Sequence, residues 1–61
     1  MGTLSEKELS LIIDSLNEED LLVKNYQQLA SQTQDQEISS KFEQIAQRHQ
    51  KHFNDIFALL G

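Results

Sequence analysis

"SQTQDQ", residues 31–36, decides the fold. It is the one place where a helical apolar pattern running along the whole chain breaks off. The chain has 61 residues, no Pro, and Gly only at positions 2 and 61. Nothing else punctuates it between Thr3 and Leu60. Leu, Glu, Gln, Lys and Ala, all good helix formers, are plentiful. Two helices joined by one short turn follow. Asp35 is the expected N-cap of the second helix, with Thr33 as the alternative.

Working back from the turn, helix 1 is predicted over about residues 5–31. Two capping boxes overlap at its start, Thr3 with Glu6 and Ser5 with Glu8. Both glutamates also suit the positive end of the helix dipole. Working forward, the turn takes about residues 32–35 and helix 2 about residues 36–60, with Gly61 ending it. Each helix has the length for roughly 38 Å.

Leu9, Ile12, Leu16, Glu19, Val23, Tyr26 and Ala30 repeat at steps of three and four, a heptad seam. Ile38, Phe42, Ile45, His49, His52, Ile56 and Leu59 do the same in helix 2. Both seams are apolar at their ends and polar near their middles. A short connection makes the helices antiparallel neighbours. Ala30 then faces Ile38, Tyr26 faces Phe42, Val23 faces Ile45, and Glu19 faces His49. Leu16 faces His52, while Ile12 and Leu9 face Ile56 and Leu59. The one acid on the first seam meets the histidine at the centre of the second.

The apolar faces are too wide for one partner helix. Leu4, Leu11, Leu22 and Leu29 line one flank of helix 1, and Ile13 the other. Ala46, Phe53, Phe57 and Leu60 widen helix 2. Left in water they form the kind of patch that marks an interface. The expectation is a homodimer, two hairpins closing into a four-helix bundle with Leu4, Leu11, Leu22, Leu29, Ala46, Phe53 and Phe57 between them. A domain this small gains the support it needs from such pairing, and no cysteine is present to supply a disulfide instead.

Net charge is −5, which argues against nucleic acid, whose phosphates attract basic surfaces. No apolar run approaches a membrane span, and the acidic start is unlike a signal or transit peptide. "MGTLSE" has Gly2 but Glu6 where a myristoylation motif has Ser or Thr. The reading is an intracellular protein with no nucleic-acid or membrane partner.

The polar layer has three readings. Glu19 and His49 hydrogen-bond each other and fix the register, as polar seam residues do. Or Glu19 and His49 of both copies, with His52 as an extra donor, hold a divalent metal such as iron or zinc. Or water fills the layer. His52 lies one turn from His49, nearer the stripe edge, and is expected to reach solvent, Asp55 or the second copy. No serine sits beside His49 on the inward face and no glycine-rich phosphate loop is present. No cofactor and no catalysis is the first expectation.

"EEDLLVKNY" places Glu19 seven residues before Tyr26, as on the first helix of ferritin-like and rubrerythrin-like halves. "FEQIAQRHQKHF" stands where their second helix carries Glu-x-x-His. Here the motif reads Ala46-x-x-His49: the histidine is present, and alanine replaces the glutamate that bridges two irons in that family. Glu43 projects off the inward stripe. The run from Leu4 to Leu60 resembles the short spore-coat-F-like proteins, ferritin-like helical hairpins of spore-forming Firmicutes. The resemblance implies a half-ferritin unit that pairs with a second copy, a place in the spore coat, and other coat or assembly proteins as partners.

Overall fold

The computed structural model describes residues 4–61, and the chain forms an all-helical hairpin. Helix α1 spans Glu6–Gln32 and helix α2 spans Gln36–Phe57, packed along each other's length. The molecule is a rod of 47 × 15 × 10 Å. Of the two capping boxes, the Ser5 box forms. The Ser5 hydroxyl accepts from the Glu8 amide, and the Glu8 carboxylate accepts from the Ser5 amide, both at 3.1 Å. Thr3, the alternative cap, and Gly2 lie outside the described residues.

The turn is built without glycine. Thr33 takes an extended backbone and donates its amide to Leu29 O at 3.3 Å, closing α1. Its hydroxyl accepts from the Asp35 amide at 3.2 Å. Asp35 in turn caps α2, accepting from the amides of Glu37 and Ile38 at 2.9 and 3.0 Å. Thr33 and Asp35 thus satisfy free groups at two helix ends. At the far end α2 stops earlier than expected. Residues Ala58–Leu60 tighten into a 3₁₀ turn, and Gly61 donates back to Ala58 O at a positive φ of 135°.

The buried apolar residues are Leu16, Val23, Ala30 and Ala46. The first three repeat every two turns of α1 and shrink toward the turn. On α2 the matching line is Phe53, Ala46 and Ser39, one large residue followed by two small ones toward the turn. The small residues thus lie on the side where the chain reverses. There the Ser39 hydroxyl crosses to Ala30 O at 2.8 Å.

This line corrects the expected seam of α2. Ala46, placed on the outer flank by its sequence position, is 2% exposed and packed within the hairpin. It has no surface left to offer a second copy. Phe53, also placed on the flank, is half-buried. Ile38, expected opposite Ala30, is 47% exposed, and Leu9 and Leu59 are exposed as well. The physical reason is side-chain size. Small residues let two backbones approach, so α2 turns Ser39 and Ala46 toward α1 and carries its isoleucines to one side. Leu11, Leu29 and Phe57 remain exposed, while Leu4 and Leu22 are partly covered.

Candidate metal centre in a polar layer

Midway along the hairpin, three titratable side chains meet. Glu19 projects from α1; His49 and His52 project from α2, one turn apart and on one side of it. His49 Nδ1 lies 2.6 Å from Glu19 Oε1, and His52 Nδ1 lies 3.4 Å from Glu19 Oε2. Each carboxylate oxygen thus has its own imidazole. The side chains of Glu19, His49 and His52 are 13%, 21% and 48% exposed.

The 2.6 Å contact is short for a nitrogen donor, as expected when charge assists the bond. An ionised carboxylate only accepts, so the proton in this bond belongs to His49 Nδ1. The bond from His49 holds the Glu19 carboxyl below its ordinary range. Partial burial pushes the other way, and the charges of His49 and then His52 add to the lowering.

Aromatic packing fixes the His49 ring. Tyr26 stacks on it at a centroid distance of 6.0 Å and an interplanar angle of 10°. His52 meets it edge-on at 5.5 Å. Tyr26 also touches Phe42, centroids 5.9 Å apart, as the antiparallel register predicts. The stacking of Tyr26 on His49 was not foreseen. Its signal is the seven-residue spacing from Glu19, which puts Tyr26 two turns along the same face. The expectation for His52 is corrected in part. It stays half in water, but it turns to Glu19 rather than Asp55, which pairs with Lys51 at 2.7 Å.

The donor set is one carboxylate and two imidazoles, a borderline-soft group suited to zinc or ferrous iron. Their ligand atoms all lie within 4.8 Å of one another. Two ligands of a tetrahedral ion bound at about 2.0–2.2 Å stand roughly 3.3–3.5 Å apart. The Glu19–His52 pair already has that spacing. The Glu19–His49 pair is closer, so a cation must displace the Nδ1 proton and open that contact slightly. The three residues are therefore a possible donor group for a metal ion. As they stand Glu19 and His49 are hydrogen-bonded, and the half-exposed His52 makes an ion-pair contact with the same carboxylate.

Position 46, where the ferritin-like motif has its glutamate, is packing surface. Glu43 lies across a shallow groove with Val23, Gln27, Ala46, Gln47 and Gln50, away from the cluster. Among the described residues no helix is long and apolar enough to cross a membrane. Comparison with family models, curated proteins and solved structures finds no match for the chain.

Proposed function

We propose that this chain is a small intracellular assembly protein that acts as a homodimer. Two hairpins close into a ferritin-like four-helix bundle of the spore-coat-F-like kind, with a place among coat proteins and no catalysis of its own. The observation that carries the reading is apolar surface. Leu9, Leu11, Ile13, Leu21, Leu29, Ile38, Phe57, Leu59 and Leu60 are exposed in the single hairpin, against four buried apolar residues. Covering a half-exposed Leu, Ile or Phe contributes about 1 kcal/mol. Several such residues are enough to favour pairing in a domain this small. Thermal unfolding followed by circular dichroism at a series of chain concentrations tests it. The midpoint rises with concentration if folding and pairing are linked. A midpoint independent of concentration from micromolar to millimolar contradicts it.

A second reading rests on the cluster itself. Glu19, His49 and His52 bind one divalent transition metal per hairpin, and pairing brings two such sets into the same layer. Titration calorimetry with Zn²⁺ tests this reading. It expects near-stoichiometric binding that His49→Ala abolishes. Weak binding that survives His49→Ala removes the idea.

A further inference from the structure

Glu19, His49 and His52 do not share their surroundings equally. Glu19 and His49 are the inner pair, both partly buried. Tyr26 covers one face of the His49 ring and lies nearly parallel to it. His52 is the outer member, half-exposed and edge-on to His49. The cluster is thus backed by a packed aromatic ring on its inner side and meets solvent at His52.

The donors are too few to enclose an ion. Each residue offers one ligand atom, and among the described residues no further His or carboxylate joins the three within 4.8 Å. Asp55, three residues after His52, pairs with Lys51, and Glu43 lines the groove away from the cluster. Zinc takes at least four ligands, and ferrous iron held by two imidazoles and one carboxylate keeps positions open. A second copy brings three more donors together with a second ion, so pairing leaves the shortfall as it was. Charge says what fills it. Two neutral imidazoles and one carboxylate leave a divalent ion with a single net positive charge. In a partly buried site that charge attracts an anion more strongly than it would in bulk water.

We infer that a divalent ion held by Glu19, His49 and His52 keeps a coordination position free on the His52 side and takes a small anion there. This inference rests on the metal-binding reading above and adds the class of ligand that the same site accepts. The three donors come from a single hairpin, two of them from adjacent turns of α2, so the set is complete without a residue of the second copy. The half-exposed His52 marks the side by which the anion enters.

Co²⁺ is the probe, because its visible spectrum reports the ligands around it. Equilibrium dialysis of the full chain is expected to find one Co²⁺ per hairpin. The chain has one Tyr and no Trp, so its emission reports on the ring stacked on His49. Co²⁺ at the cluster is expected to quench that emission. His52→Ala, a change at a half-exposed side chain, is expected to weaken Co²⁺ binding more than about tenfold, a loss that even residues supporting a metal ligand produce. Azide added to the Co²⁺-loaded chain is expected to shift the visible bands and to saturate at one azide per ion. The azide titration uses the unmodified chain and stands whatever the variant does. Co²⁺ that quenches Tyr26 but ignores azide, or that binds as one ion per two chains, overturns the free position while leaving metal binding intact. Undiminished binding by His52→Ala overturns the three-residue set. A chain that binds no Co²⁺, or binds it without quenching Tyr26, overturns both the inference and the metal-binding reading.

Discussion

Glu19 and His49 meet at 2.6 Å across the two helices, and His52 closes on the second oxygen of the same carboxylate at 3.4 Å. The one other side-chain hydrogen bond among the described residues that joins α1 to α2 runs from the Ser39 hydroxyl to Ala30 O, beside the turn. Away from the turn the pair therefore sets the register of a hairpin whose remaining contacts are largely apolar and non-directional. Its removal has consequences that can be measured one at a time.

The coupling between the two residues is expected to be about 1–2 kcal/mol, the range for a charge-assisted bond discounted for partial exposure. A double-mutant cycle of Glu19→Ala and His49→Ala, read by urea denaturation, measures it. His49→Ala alone costs more than the coupling, because it also removes the surface on which Tyr26 stacks. Additive single effects would show that the contact is incidental to stability.

Acid should loosen the hairpin through Glu19. Its carboxyl titrates below the ordinary glutamate value of 4.5 when folded. The unfolded chain therefore takes up the proton first as pH falls, and folding opposes protonation. The stability this group contributes is present in full above pH 4.5 and disappears as pH falls through the folded value. Glu8 is lowered by its bonds to Ser5 and acts with the same sign. Urea midpoints measured between pH 6 and pH 3 should fall with acid, and Glu19→Gln should flatten that fall. An identical slope in the variant would assign the acid sensitivity elsewhere.

Ala46→Glu restores the letter of the ferritin-like motif at a position the fold uses for packing. The added volume and the desolvated carboxylate should lower stability by about 2–4 kcal/mol, seen as a lower urea midpoint. An unchanged midpoint would mean that position 46 faces open space. That conflicts with its 2% exposure.

What was legible in the sequence was whatever is local or has one available partner. Ser5 with Glu8, and Asp35 before Glu37, are caps whose chemistry spans three residues or fewer. Glu19 is the only acid on its seam, so an antiparallel turn of three or four residues leaves it His49. The rotation of α2 was not legible. A heptad pattern reveals a wide apolar stripe but not its centre, and hydrophobicity undervalues Ser39 and Ala46, whose small size decides where two helices touch. Once these take the centre, Ile38, Ile45 and Ile56 move to one side. The direction of His52 was hidden for a different reason. Glu19, Asp55 and solvent were all within its reach, and spacing does not rank them.

The central claim is that the exposed apolar face is covered by a second copy of the chain. Sedimentation equilibrium of the unmodified protein at tens of micromolar tests it most directly. The account predicts a single species with twice the 7.0 kDa mass of the chain. A species of 7.0 kDa that stays folded across that range would contradict it.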